Sequence, residues 1–320
     1  MLGAMPSPYV PQRAAASRLL TIRQRPLHLL QWPATQPTQP PLVLCHGWMD
    51  VGASFQFVVD ALDAGFCAQR TIYALDWRGF GRSRSLPAPD HFVFADYLGD
   101  LDALLDEIAP GQAVDLLGHS MGGNVVMMYA GTRPERVRRL VNLEGFGMPA
   151  TTPDQAPARY RRWLDEMRAQ REEEADGSAL RSYASAAEVA ARLRRNNPRL
   201  AEDRALWLAG HWSAPDGAGR WRILGDAAHK VASAQLFRAD ELLALYAAIT
   251  APTLVVKAAQ DTMQGYWPGR YGLDEFLARI RRVPQLQLAD VADAGHMLHH
   301  DQPAALARLI EAFLAAPAPH

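Results

Sequence analysis

A serine with glycines two residues before and after it can sit on a turn tight enough to project its hydroxyl, and the chain carries this pattern at Gly118-His119-Ser120-Met121-Gly122. A short apolar run of buried-strand type (113–118) leads into it, and a helical pattern (124–132) leads away. That context makes Ser120 a candidate nucleophile. The first amide of the following helix has no intrahelical partner and lies at the positive end of the helix dipole, so the Met121 N–H is predicted to stabilise an oxyanion. A serine hydroxyl is a weak nucleophile without a base, which must itself be oriented by a third group. His296, in Asp293-Ala294-Gly295-His296 after the last predicted strand, is the expected base. His299 and His300 fall at the entry to the next helix, where Asp301 and Pro303 suit a helix start, and read as exposed or capping residues. Two carboxylates end predicted strands: Glu144 closes 139–144, and Asp261 follows 251–258. Either could orient an imidazole, and only one is expected to contact His296.

These residues need a frame that brings strand ends together. Apolar runs at 41–46, 71–76, 113–118, 139–144, 251–258 and 286–291 alternate with helical patterns, among them Leu98, Leu101, Leu105 and Ile108, and Ala305, Leu309 and Phe313. Strand and helix in alternation imply a mostly parallel sheet covered on both faces. Two further apolar stretches between Ser17 and Trp32 read as an antiparallel hairpin at a sheet edge. The alternation breaks between about 147 and 250, where charge-rich helical segments replace strands. The expected division is therefore a core of 1–147 and 251–320 with a helical cap of 148–250. Trp163, Trp207, Trp212 and Trp221 lie in that insertion, where they would anchor it to the core or line an apolar pocket.

The 33 basic and 34 acidic side chains leave a formal net charge of −1, so no excess of positive charge is available for a phosphate backbone, and nucleic acid is not an expected partner. Cys45 and Cys67 form neither a disulfide framework nor a zinc-type pair. His119 has no suitably spaced metal-ligand partners along the chain, and no nucleotide fingerprint occurs, so neither a metal nor an organic cofactor is expected. The N-terminal segment, with prolines at 6, 8 and 11, lacks the apolar stretch of a secretory leader, and no run of about 18 apolar residues occurs. A cytoplasmic protein without membrane contact is the resulting expectation, as monomer or homodimer.

The sequence resembles the α/β-hydrolase family, in the capped branch that includes serine esterases, epoxide hydrolases and haloalkane dehalogenases. The resemblance spans roughly 42–314 and rests on Cys45-His46-Gly47-Trp48, the segment Asp76-Trp77-Arg78-Gly79-Phe80-Gly81-Arg82-Ser83, the Ser120 turn and Gly295-His296. It implies an eight-stranded, mostly parallel sheet with a helical cap insertion. It also implies a second oxyanion donor in the backbone N–H of Trp48, with its indole over the substrate, and structural roles for Asp76 and Arg78. The family commonly places its acid where Asp261 stands, although Ala258 replaces the usual glycine there, while some dehalogenase-like relatives place it after the earlier strand, where Glu144 stands. Epoxide hydrolases and dehalogenases carry an aspartate at the turn, because attack on an alkyl carbon must leave an ester that water can open. A serine there implies attack on an acyl carbon, and a small-molecule carboxylic ester with an apolar group is the expected substrate. A carbon–carbon bond hydrolase of vinylogous diketones would use the same triad, and a non-turnover ligand-binding protein could share the fold.

Overall fold

The computed structural model describes residues 9–84, 87–175 and 180–317. Residues 1–8, on which part of the leader reading rests, lie outside the described residues. The described residues form eleven strands: β1 Ala16–Ile22, β2 Arg25–Trp32, β3 Leu42–Cys45, β4 Ile72–Leu75, β5 Val114–His119, β6 Val137–Leu143, β7 Ser182–Tyr183, β8 Ser213–Pro215, β9 Trp221–Ile223, β10 Thr253–Ala258 and β11 Leu286–Val291. Eight of them form one sheet in the order β1-β2-β4-β3-β5-β6-β10-β11. The expected edge hairpin is β1 and β2, which pair antiparallel, and β2 is also antiparallel to β4. All other neighbours run parallel, so β3, β5, β6 and β10 end on the same edge. A parallel sheet needs cover on both faces. Leu101, Leu104 and Leu105 of the helix Ala95–Ile108 join the core on one face, and Leu306, Ile310 and Phe313 of Pro303–Ala315 join that on the other. In the last helix the buried stripe includes Phe313 as expected, but Leu306 and Ile310 fill it while Ala305 and Leu309 lie half-buried beside it.

The insertion after β6 is not purely helical. Beside the helices Ala156–Ala175, Ala186–Asn196 and Glu202–Trp212 it holds a small antiparallel sheet of β7, β9 and β8. These strands have only two or three residues each, too short to establish a period-2 pattern in sequence. The insertion buries its own cluster of Val189, Leu193, Leu200, Leu208 and Ile223, to which Phe57 of the core contributes. The helix Ala239–Ala248 packs along Met121–Thr132, with Leu242 and Tyr246 in the main core, so the part of 148–250 that stands over the sheet edge ends before it. Anchoring is explicit at His229. Its ring lies between Phe80 and Phe92 at centroid distances of 3.6 and 3.8 Å, and burial pushes its pKa down to about 3, so it stacks as a neutral ring. Two main-chain hydrogen bonds beside it, Gly81 N–H to Leu224 O and Asp226 N–H to Gly79 O, join insertion to core at 2.8 Å each. Trp207 packs on Phe57 as an anchor, whereas Trp212 donates to Asp50 and also lines the site cavity.

Glycine is required where the helix after β5 crosses β3. A Cβ on Gly122 would stand 2.2 Å from Cys45 O and 2.6 Å from His46 O, both main-chain atoms that cannot yield cheaply. Gly122→Ala is therefore expected to lose about 1–3 kcal/mol of stability. Gly210→Ala is the control. It lies within a helix, and its added methyl meets nothing within 4 Å, so it should be neutral or gain up to about 1 kcal/mol from helix propensity. Denaturant titrations of the two variants check this pair, and a Gly122→Ala midpoint at or above that of the parent would contradict the packing argument.

Candidate active site

Ser120 stands between β5 and the helix Met121–Thr132 with φ 52° and ψ −114°, a conformation that side-chain-bearing residues rarely adopt. The surroundings hold it there: its N–H donates to Leu143 O at 2.8 Å, and its carbonyl accepts from Asn124 N–H at 3.0 Å. Gly118 leaves room for the turn, since a Cβ there would meet Gly122 O at 2.3 Å. The helix begins at Met121 with no side-chain cap, so its first amides remain free for a ligand. Gly47 packs against the same serine, its ideal Cβ position lying 3.2 Å from Ser120 Cβ. Trp48 follows it with its indole half exposed and its Nε1 donating to His229 O at 3.3 Å. Gly47, Trp48 and Ser120 line one cavity, and Met121 follows the serine as the first residue of its helix.

His296 Nε2 lies 3.0 Å from Ser120 Oγ, and its Nδ1 lies 3.1 Å from Glu144 Oε2. Of the two carboxylates left open by the sequence, the structure brings Glu144 to the imidazole and leaves Asp261 away from it. Glu144 directly follows β6 with φ 55°, and its carboxylate is completely buried. It accepts from Ala258 N–H at 2.7 Å through Oε1 and from the Thr262 hydroxyl through Oε2. Asp261 is exposed and accepts instead from Met263 N–H at 2.9 Å, as a local loop cap. The loop after β10 still serves the carboxylate, through a hydroxyl one position later. Sequence reading missed Thr262, and only the strand-end position of its loop could have pointed there.

The loop carrying His296 is pinned from several sides. Asp301 accepts from Gly295 N–H at 2.8 Å and from Asn197 Nδ2 of the insertion at 2.7 Å, instead of capping a helix as expected. His119 Nε2 lies 2.8 Å from His296 O, and because a carbonyl only accepts, Nε2 carries the proton. Burial, with His299 and His296 nearby, holds the His119 pKa well below its usual value, consistent with a neutral ring. His299 and His300 are not exposed caps as their place near a helix entry suggested: both are buried, with the His299 ring tilted against His119 at 4.3 Å between centroids and His300 against Phe57. The final helix instead takes Pro303 as its first residue, and the two histidines turn inward from the short helix Leu298–Asp301. Asp50, His119 and His299 thereby come together, their ligand atoms all within 4.8 Å of one another, which the linear spacing of His119 had not indicated. Asp50 Oδ1 is already used by Val51 N–H, Trp212 Nε1 and the Ser54 hydroxyl.

Asp76 and Arg78 shape the loop behind the site, as expected. Asp76 accepts from Gly52 N–H at 2.7 Å, from Arg82 N–H at 2.9 Å and from His28 Nδ1 at 2.8 Å. Burial works to raise its pKa, but the His28 hydrogen bond and charge hold it below the usual carboxylate range. Arg78 pairs with Asp100 and, at 2.8 Å, with Asp96.

A cavity of about 810 Å³ opens over Ser120 and His296. Trp48, Tyr266 and Met297 line its core side, and Leu193, Leu200, Leu208, Trp212 and Ile223 form much of its insertion side. Among the described residues no helix is long and apolar enough to cross a membrane.

A family model described as alpha/beta hydrolase fold matches residues 40–303. A serine hydrolase-like protein of Danio rerio is 30% identical over 111 residues, which is 35% of this chain and 32% of that protein. Bifunctional epoxide hydrolase 2 of Mus musculus is 34% identical over 119 residues, 37% of this chain and 20% of that protein. The chain thus spans a third or less of the length of these two curated relatives. Among solved structures, a hypothetical protein of Pseudomonas aeruginosa PAO1 superposes with a TM-score of 0.77 at 25% identity, covering 94% of this chain and 99% of that one.

Proposed function

The chain belongs to the α/β-hydrolase fold family, and on that premise we propose that it is a serine hydrolase cleaving small to medium carboxylic esters through an acyl-enzyme intermediate. One observation carries the reading: the unbroken sequence of contacts from Ser120 Oγ through His296 to buried Glu144, at 3.0 and 3.1 Å, on a strained turn. His296 removes the serine proton as Oγ attacks the acyl carbon. The tetrahedral oxyanion is held by the Met121 and Trp48 amides. Glu144 keeps the imidazole in the tautomer whose Nε2 faces the serine and stabilises the imidazolium that forms. Protonated His296 then delivers its proton to the departing alcohol, and water activated by the same ring releases the acid. The proposal takes Glu144 rather than Asp261 as the triad acid, since only its carboxylate touches His296.

The cavity supports the substrate class. Leu193, Leu200, Leu208 and Ile223 of the insertion offer apolar surface to a chain of moderate size, as suits an ester with an apolar group. The test is multiple-turnover hydrolysis of a p-nitrophenyl ester series from acetate to a long-chain acyl group. A maximum of kcat/KM at intermediate chain length is expected, with decline once the chain outgrows the cavity. Cleavage of a vinylogous diketone with no turnover of any ester would replace this reading by the carbon–carbon one.

A further inference from the structure

The insertion side of the cavity is not only apolar. Arg181, Arg192, Arg195 and Lys230 all line it, and Asp50, on the core side, is the one acidic residue of the described lining. Arg192 and Arg195 stand three residues apart on the helix Ala186–Asn196, and so project from one face. Arg181 and Arg192 both lie over the Tyr183 ring, at 5.4 and 5.8 Å from its centroid, and Arg192 also donates to the Tyr183 hydroxyl at 2.5 Å. Two guanidinium groups are therefore held around one aromatic ring. Among the described residues no carboxylate forms an ion pair with Arg181, Arg192 or Arg195, whereas the adjacent Arg194 pairs with Glu202. Asp50 pairs with none of them: it is buried, its Oδ1 accepts from Val51 N–H, the Ser54 hydroxyl and Trp212 Nε1, and its Oδ2 lies 3.7 Å from His299 Nε2. An anion entering the cavity would meet three guanidinium groups that pair with no described carboxylate, in a partly enclosed space where field lines are focused.

We propose that the preferred substrate carries a carboxylate at the end remote from the scissile ester, received by Arg181, Arg192 and Arg195. The inference rests on the ester-hydrolase reading and deepens it. Leu193 and Leu200 line the same cavity as Ser120 and these arginines, so a substrate that suits the whole lining is an apolar chain with an ester at one end and an anion at the other. Guanidinium forks match a carboxylate in plane and charge, which a neutral alkyl terminus would waste.

The experiment compares the mono-p-nitrophenyl ester of adipic acid with its methyl-capped counterpart, in which a neutral methyl ester replaces the remote charge, with p-nitrophenol release followed for both. The free carboxylate is expected to raise kcat/KM by about tenfold or more, mainly through KM, and the preference should shrink as salt is added. In Arg192→Gln/Arg195→Gln the ratio of the two rates should fall to about twofold or less. Because Arg192 also holds Tyr183, Arg195→Gln alone is the second variant, and it should lower the ratio part of the way. Competition by adipate but not by inorganic phosphate assigns the site to carboxylates; competition by phosphate alone overturns that assignment. A ratio near one in the parent, or one unchanged in both variants, overturns the proposal while leaving the ester reading intact. If no ester is turned over, the ester reading falls separately. Thermal shift of Ser120→Ala with adipate then decides the anion site: a rise lost with the arginine pair supports it, and no rise ends it.

Discussion

Ser120→Ala is expected to lower kcat for ester hydrolysis by about 10⁵- to 10⁶-fold, roughly 7–8 kcal/mol of barrier, with KM little changed. The size follows from the role: without Oγ no acyl-enzyme forms, and what remains is attack by water assisted by the oxyanion amides and substrate binding. The change should leave the fold in place. Ser120 contributes its backbone N–H and carbonyl to the structure, to Leu143 and Asn124, and alanine keeps both. Its hydroxyl is within hydrogen-bond reach of His296 only, so its loss creates no unpaired group in the sheet. Two measurements belong together. Steady-state rates give the loss, and labelling by a fluorophosphonate, read as a mass increase of one adduct per chain, should occur in the parent and not in the variant. Retention of activity within tenfold of the parent would remove Ser120 from the chemistry.

The nucleophile and base were legible because each carries local information. Gly118 answers to a close main-chain approach four residues on, at Gly122 O, although Gly122 itself answers to distant Cys45 O, and the strand before Ser120 and helix after it announce themselves by period. His296 follows the last strand in the same way, and β3 to β6, β10 and β11 lie where apolar runs of strand length placed them. What stayed illegible depends on contacts between distant segments. His299 and His300 have the composition and position of a polar helix entry; only the docking of the Leu298–Asp301 turn against Phe55, Phe57 and His119 buries them. The three short strands of the insertion pair over separations of up to 40 residues and leave no periodic trace. Arg192 and Arg195 of the cavity were likewise visible only as part of a charge-rich helix, and Arg181 lies outside it. Their common direction is a fact of tertiary structure.

Nor could strand position alone choose the acid, and this sets up the second large effect. β6 and β10 are parallel neighbours, with Leu143 beside Val256, so residues just beyond their ends emerge on one edge near His296. Glu144 reaches the imidazole because a left-handed backbone turns it inward and two donors, Ala258 N–H and the Thr262 hydroxyl, fix both oxygens. Glu144→Gln keeps the shape and can keep the Ala258 bond through its carbonyl oxygen. Its amide then faces His296 Nδ1 as a donor, which favours the tautomer with the proton on Nε2, the nitrogen that must accept from Ser120. A loss in kcat of about 10⁴-fold is expected, with Asp261→Asn within about threefold of the parent, since Asp261 only caps its own loop. Glu144→Asp should fall between them, because withdrawing the carboxylate by one methylene, ~1.5 Å, costs its reach to Nδ1 before it costs its charge. The opposite ranking, with Asp261→Asn crippled and Glu144→Gln nearly unaffected, would return the acid to the loop after β10 and make the buried glutamate a tie between two strand ends. The measured order of these three variants therefore separates an orienting charge from a structural hydrogen bond, which share the same distances in a resting site.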